Sequence, residues 1–408
     1  MYVSGLLHRE RFFALASRWL SGAAEPEDGV ALSEIFLLDP WICAPQVIRC
    51  LEVLQQRLRP GSLGLRAVRC KDEVRRAMVG AWSQEASLRH LFTDYESHPE
   101  SYFPGHPVQA AYAWVEARPF WAMLRLKGLT RVATKAQWLL ADVLGSTIRS
   151  TARTLAENRA WSAGVSMEQL LSSPETMALD FAQAERLVSY AIRDGRMSFT
   201  ADEGRIDDFW GLKVVDTWQK LEEGAAFLGG QAEVVEKDGE GHLTASSRSL
   251  LLELERPDLD SVLARLDDPM RALMDARGLR GQVAADRVAR YWEQGEASFW
   301  VELVLHSPHA VVASDFGPQV HEELILRQRR EASYRGRLAE NLGYIFMDML
   351  RLAAAQGVEV GQAPKLWGRY LPELWEARPS RQAADLGGGL AVANARLLER
   401  CISARTEG

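Results

Sequence analysis

Cysteine, lysine and long apolar runs are all scarce in this sequence of 408 residues, and each scarcity argues against a class of protein. The four cysteines, Cys43, Cys50, Cys70 and Cys401, include no closely spaced pair of the kind that binds zinc or forms a redox disulfide. They are expected to be buried thiols in a reducing compartment. We therefore predict a cytoplasmic protein with no metal and no cofactor.

The sequence has no window of about 18 uninterrupted apolar residues, which is roughly what a membrane-spanning helix needs. Its first twenty residues mix apolar side chains with Arg9, Glu10, Arg11 and Arg18, so they lack the apolar block of a secretory signal. We accordingly expect no membrane partner.

Lysine accounts for seven of the 48 basic residues, and this excess of arginine has two interpretations. It is typical of a GC-rich genome, and it also fits many fork-shaped contacts between guanidinium groups and carboxylates or phosphates. The net charge is −7, so binding to nucleic acid would require a local basic patch rather than the whole surface.

Helical periodicity of apolar residues recurs along most of the chain, which is 47% hydrophobic and 25% charged. We predict a mostly α-helical, multi-helical protein with two helical subdomains, residues 1–195 and 205–408. The boundary is placed where periodicity lapses and glycine and charge replace it. A small β-hairpin is predicted in the second half at residues 232–246, where two short alternating runs flank a glycine-containing turn.

The remaining chain is assigned almost entirely to helices. Three of these predicted helices span residues 65–82, 108–117 and 206–228. Residues 300–305 are a candidate strand because they are apolar, aromatic and β-branched.

The segment 318–356 has the strongest helical pattern and is expected to form one continuous helix. Its second half carries apolar residues at the spacing of one buried stripe. These residues are Leu338, Leu342, Ile345, Phe346, Met349, Leu350 and Leu352.

A cationic face is predicted on the first half of the same helix. It consists of Arg327, Arg330, Tyr334 and Arg337, which lie three or four residues apart. Guanidinium groups bind phosphates in a bidentate manner and tyrosine offers a stacking plane, so this face is the candidate partner- or phosphate-binding site. The alternative is pairing within the chain, with the acidic stretch 253–268.

Histidines accompany carboxylates in two segments that are predicted to be loops. The histidines are His90, His98 and His106 in the first segment, and His306 and His309 in the second. Imidazole and carboxylate groups suit metal binding or acid–base chemistry, although the spacing matches no established motif. Polar connecting loops explain the same residues without chemistry.

Tryptophan is abundant, with 13 residues, while no catalytic signature is present. Because tryptophan and arginine often anchor interfaces, the leading hypothesis is an interaction or scaffold subunit of a larger cytoplasmic assembly, with protein partners. One alternative is a nucleic-acid-binding protein that contacts phosphates through the 327–337 arginine face. A second alternative is an enzyme with a histidine and carboxylate site, so whether the protein is an enzyme is left open.

Overall fold

The computed structural model combines strands from both halves of the chain into one mixed sheet. The structure describes residues 1–116, 118–229, 234–236, 247–279, 284–317, 334–354, 364–368, 398 and 402. The helices are α1 Arg9–Leu20, α2 Asp28–Leu58, α3 Lys71–Trp82, α4 Ala86–Ser97, α5 Leu129–Ala163, α6 Pro174–Arg193, α7 Trp218–Gly229, α8 Leu259–Ala264, α9 Asp268–Ala276, α10 Ala284–Gln294, α11 Pro308–Phe316 and α12 Arg337–Ala354. The strands are β1 Tyr2–Val3, β2 Leu63–Cys70, β3 Pro107–Val115, β4 Arg118–Leu126, β5 Arg205–Ile206, β6 Trp210–Val215, β7 Val234–Glu236, β8 Ser247–Glu255 and β9 Ser298–His306.

The main sheet has seven strands in the order β2, β3, β4, β6, β9, β8, β7. Strands β6 and β9 are parallel, and the other neighbouring pairs in this sheet are antiparallel. A second sheet pairs β1 with β5. The prediction of a mostly α-helical protein with one small hairpin is therefore wrong, because a sizeable mixed sheet organises the fold.

The predicted hairpin at 232–246 matches the structure in its first strand alone. Strand β7 lies in this segment, but it pairs with β8, so that Val235 is opposite Leu251. The second strand thus begins at Ser247, just beyond the predicted range. Residues 237–246 lie outside the described residues.

Three segments that are predicted to be helices, 65–82, 108–117 and 206–228, contain strands in the structure. Strand β3 shows why, because Ala110 and Ala111 are both buried although they point to opposite faces of the sheet. A strand that is buried on both faces loses the alternation that distinguishes a strand from a helix. Strand β9 keeps its alternation, and the strand expected at 300–305 is confirmed.

The main sheet crosses the predicted domain boundary. Strands β4 and β6 lie on either side of residues 195–204 in sequence and pair directly, with Ala122 opposite Val214. The main hydrophobic core also contains residues from both predicted domains. Direct backbone pairing therefore joins the two segments that the sequence suggested as separate subdomains.

The main core lies on one face of the sheet and includes α2, α5 and α12. The buried stripe predicted for α12 is confirmed for six of its residues, which are at most 1% exposed. These residues are Leu338, Leu342, Ile345, Phe346, Met349 and Leu350. On the opposite face, α3, α4 and α11 cover a smaller cluster built around Met78, Phe92 and Phe316.

Helix α2 contributes the largest number of buried residues of any described helix, so it forms the centre of the main core. Among the described helices it alone is long and apolar enough to cross a membrane, yet 83% of its apolar window is buried inside the protein. A core helix meets the same criteria of length and composition, so this property is weak evidence for a membrane location.

Candidate interaction surface

The predicted arginine face is not carried by one continuous helix. Helix α12 begins at Arg337, while Tyr334 precedes it in non-helical backbone. Tyr334 packs against the main core, and Arg337 Nε lies 3.6 Å from Glu185 Oε1 on α6. Arg327 and Arg330 lie outside the described residues, so phosphate or partner binding by this face stays a prediction.

The two segments predicted to be loops contain regular elements, since His90 lies in α4, His306 in β9 and His309 in α11. The five histidines do not converge on a metal-binding cluster in the described part of the chain. Four of them are exposed, namely His90, His98, His106 and His309, while His306 is partly buried in β9. His98 Nδ1 lies 3.7 Å from Asp94 Oδ1, one helical turn away. Burial and the charges of Lys71 and Arg131 lower the pKa of His106, which favours its neutral form. An enzymatic role for these histidines stays a prediction.

A different histidine, His8, belongs to a fully buried polar network. Its Nδ1 lies 2.8 Å from Asp39 Oδ1, and its backbone N–H donates to Asp39 Oδ2 at 2.9 Å. The Tyr291 hydroxyl donates to the same carboxylate at 2.5 Å, and the two rings stack with centroids 3.7 Å apart. All three side chains are at most 2% exposed. A histidine–aspartate pair sealed from solvent in this way stabilises the fold and offers no access to a substrate.

Burial alone would lower the pKa of His8, but the charge of Asp39 opposes that effect. Hydrogen bonds to Asp39 and to the Tyr291 carbonyl act in the same direction, so the pKa of His8 is raised overall. His8 therefore holds a proton more tightly in the folded protein than in the unfolded chain. The network ties the start of α1 to α2 and α10, since its members come from those three elements.

The exposed apolar surface is concentrated on the helical hairpin formed by α5 and α6. In the described part of the chain, thirteen large hydrophobic side chains are exposed, and nine of them lie between residues 161 and 190. These nine, called the hairpin surface below, are Trp161, Val165, Met167, Leu171, Met177, Leu179, Phe181, Leu187 and Tyr190. An exposed apolar cluster of this kind marks a site of interaction with another molecule.

One part of the hairpin surface continues a stripe that is buried further along α6. Ala184, Val188 and Ile192 are at most 3% exposed and belong to the main core. Phe181 and Met177 occupy the same helix face one and two turns earlier, because residues three or four apart share a face. They are 46% and 49% exposed, so the stripe runs beyond the part of the protein that covers it.

The end of the hairpin stands clear of the rest of the protein. None of the residues from 161 to 183, all of which the structure describes, is buried. At its outermost positions, Trp161 is 86% exposed and Leu171 is 97% exposed. In globular proteins an aromatic side chain so fully exposed is unusual, because burying it is worth about 1.5–3 kcal/mol.

Local sequence signals fix the shape of the connection between the two helices. Gly164 ends α5 in the left-handed conformation, with φ of 68°, which glycine adopts without steric cost. Ser166 and Gln169 form a capping box around a short 3₁₀ turn. The Ser173 hydroxyl accepts a hydrogen bond from the Thr176 backbone N–H at 3.2 Å and begins α6.

An ion pair holds the two helices together beneath the connection. Arg159 Nη1 on α5 donates to both oxygens of Asp180 on α6, at 2.6 and 2.7 Å, and Nη2 donates to Ser172 Oγ at 3.0 Å. Small residues let the helices approach closely, since Ala152, Ala156 and Ala160 are spaced four apart and buried. The hairpin is thus preorganised to present its apolar side chains.

Two acidic side chains border the hairpin surface. Glu168 and Glu175 are exposed within the first turn of the 3₁₀ element and of α6, respectively. A hydrogen bond from its own backbone N–H and another from Ser166 lower the pKa of Glu168. The Ser173 hydroxyl and the backbone N–H of Glu175 lower the pKa of that carboxyl. The end of the hairpin surface near the connection therefore carries negative charge at neutral pH, whereas Arg193 places a positive charge beside Tyr190 at the other end.

The sequence pattern did not separate this surface from the core. Leu179 and Leu187 lie in the amphipathic run that predicted α6, yet they are 68% and 43% exposed. A signal is nevertheless present, because Leu179 and Leu187 fall on a different side of α6 from Val188 and Ile192. A helix with apolar residues on two sides has more apolar surface than one core contact can cover.

Comparisons with known proteins found no matching family model, no similar curated protein and no similar solved structure. The function is therefore argued from the geometry of this chain.

Proposed function

We propose that this protein is an interaction subunit that docks a partner protein onto the end of the α5–α6 hairpin. The observation that carries the proposal is the concentration of nine of the thirteen exposed large hydrophobic side chains on residues 161–190. Singly scattered apolar residues are normal on protein surfaces, but a concentration of them on one preorganised helical hairpin is not. Burial of the cluster in a partner removes it from water.

The side chains on the hairpin are of the types that dominate binding energy. Trp161 is 86% exposed at the end of α5, and tryptophan is enriched among the residues whose truncation most weakens protein–protein complexes. Tyr190 and Phe181 provide further aromatic contacts, with Arg193 stacked 4.7 Å above the Tyr190 ring. Phe181 and Tyr190 lie on different sides of α6, and Trp161 lies on α5, so a groove that encloses the hairpin fits them better than a flat surface does.

The acidic border specifies the charge of that groove. Glu168 and Glu175 are ionised next to the apolar side chains, so a groove bordered by lysine or arginine is complementary. A second copy of this chain docked with the connection ends of the two hairpins against each other would bring Glu168 and Glu175 of both copies together. We therefore assign the surface to a different protein rather than to a symmetric dimer.

The proposal is tested by co-purification from the native host. Tagged wild-type protein is compared with the Leu171→Asp/Leu179→Asp variant, which places two carboxylates in the apolar surface. The control is Gln56→Asp/Gln84→Asp, which adds the same charge at two exposed positions outside the hairpin. We expect a stoichiometric partner with the wild type and the control, and its loss from the hairpin variant.

Three results would contradict the proposal. A partner retained by the hairpin variant would place the interface elsewhere. Self-association that the hairpin variant abolishes, measured by analytical ultracentrifugation, would identify a second copy as the occupant. Binding of wild-type protein to vesicles of neutral phospholipid, lost in the same variant, would identify a membrane.

A further inference from the structure

The second face of the sheet carries charged residues at its centre, away from the hairpin. Strand β9 alternates strictly, with Val301 and Leu303 buried in the main core and Glu302 partly exposed on the opposite face. Gly211 of β6 is the register partner of Glu302, and Lys213 is two residues further along the same strand. Register partners and residues two apart share a face, so these side chains line one side of the sheet.

A gap lies over Gly211 between two charged neighbours. Arg125 of β4 is the register partner of Gly211 on one side, and Glu302 of β9 is its partner on the other. Two strand spacings put their Cα atoms about 10 Å apart, with no side chain between them. Among the described residues, a Cβ added to Gly211 would meet the Arg125 carbonyl oxygen at 3.9 Å and nothing closer.

The two cations beside this gap have no carboxylate in direct contact. Within the described residues, neither Arg125 nor Lys213 has a hydrogen bond to its side chain or an ion pair within 4 Å. Instead, Arg125 lies close enough to Lys213 and Lys127 to lower the pKa of both amines. The positive charge of Lys127 is balanced by an ion pair with Asp208, which Lys135 also contacts at 2.9 Å. Arg125 and Lys213 are thus neighbouring basic side chains, and burial disfavours the charged form of Lys213.

Two carboxylates lie on the far side of the gap. Glu302 and Asp315, the latter from α11, are the negative charges that act on Lys213. Burial has the largest effect on the pKa of Lys213 and lowers it. The negative charges of Asp315 and Glu302 raise this pKa, and the positive charge of Arg125 lowers it further. An additional anion beside Lys213 and Arg125 would stabilise both of their charged forms.

We propose that the space over Gly211 binds the phosphate group of a small phosphate ester, held by Arg125 and Lys213. The guanidinium fork and the lysine amine are donors that proteins use for phosphate, and the negative charge of a bound phosphate would favour the charged form of Lys213 that burial disfavours. Glu302 and Asp315 then face the rest of the ligand, where they accept hydrogen bonds from its hydroxyl or amino groups. The missing side chain at Gly211 leaves room for the phosphate.

The first test uses inorganic phosphate and follows Lys213 directly. Wild-type protein is acylated with an amine-specific reagent in phosphate or in sodium chloride of equal ionic strength, and each lysine is quantified by peptide mass spectrometry. We expect phosphate to slow labelling of Lys213 about tenfold, as one charge-assisted contact would. Lys220, which pairs with Glu223 at 2.8 Å on α7, is the internal control and should be unaffected.

Two variants locate the protection at the gap. Gly211→Leu fills the space, and Arg125→Gln removes the guanidinium, so both should abolish protection of Lys213. Arg66→Gln changes an exposed arginine of β2, and this control variant should retain the protection of Lys213 by phosphate. A changed melting temperature of Gly211→Leu would show that this substitution disturbs the fold. In that case the result for Arg125→Gln alone decides whether phosphate binds at the gap. Equal labelling of Lys213 in phosphate and chloride, or protection that persists in Arg125→Gln, would overturn the proposal.

A second probe tests the assignment of the carboxylates. Glycerol 3-phosphate carries two hydroxyl groups beyond its phosphate, so it should protect Lys213 at a lower concentration than inorganic phosphate does. Glu302→Gln should remove most of that difference. If both probes protect equally in the wild type, the ester part of the proposal is wrong.

Discussion

Replacing Trp161, Leu171 and Leu179 with alanine is expected to weaken binding of the partner protein by at least about a thousandfold. Burying each of these side chains contributes about 1.5–3 kcal/mol, and about 1.4 kcal/mol corresponds to a factor of ten in affinity. The three residues are 86%, 97% and 68% exposed in the free protein, so truncating them removes little packing within the chain. The measurement is isothermal titration calorimetry of the purified partner with each variant.

The stability of the triple variant is the control for this prediction. Since the three side chains are exposed, the free energy of unfolding should change by less than about 1 kcal/mol in total. A variant that loses stability as well as affinity would show that these residues support the fold. Wild-type affinity in a stable triple variant would show that the hairpin surface is not the interface.

Replacing Asp39 with alanine is expected to lower the free energy of unfolding by about 3–5 kcal/mol, because removing one partner of a buried charged network leaves the others unpaired. Asp39 is 0% exposed and accepts hydrogen bonds from His8 and Tyr291. Urea denaturation measures this loss. Asp260→Ala, at an exposed position on α8, should change stability by less than about 0.5 kcal/mol. A similarly small change for Asp39→Ala would contradict the structural role of the network.

The pH dependence of stability reports on the same network. The pKa of His8 is raised above its ordinary value of 6.5 in the folded protein. A raised pKa stabilises the fold fully below the unfolded value, and this contribution is lost as pH rises through the folded value. The destabilisation caused by His8→Gln should therefore be larger at about pH 5.5 than at about pH 9. Equal destabilisation at both values would show that folding does not raise the pKa of His8.

The long helices of this fold could be predicted from the sequence, while most of its strands could not. In α12, Leu342, Phe346 and Met349 repeat at helical spacing and face a single core, so their pattern reports the structure directly. In β3, neighbouring alanines at 110 and 111 are both buried because the sheet is covered on both faces. Their spacing therefore carries no period of two, and the pairing partner is far away in sequence.

The sequence predicted that the protein has an interaction surface, but it did not predict where that surface lies. An interaction role through aromatic helix faces followed from the abundance of tryptophan, yet the sequence drew attention to the arginines near Arg337. Periodicity shows which residues share a helix face, as with Phe181 and Val188, but not where the covering element ends. The point on α6 at which burial ends depends on which other elements pack beside the helix, and that is a property of the tertiary structure.

Site-specific photo-crosslinking tests the docking claim most directly. A photoreactive phenylalanine analogue is placed at Leu171 on the hairpin surface, and in a separate protein at Phe103, which is 62% exposed outside the hairpin. The account predicts a covalent adduct with one partner protein from position 171 in the native host, and none from position 103. Adducts from position 103 with no adduct from position 171 would contradict it.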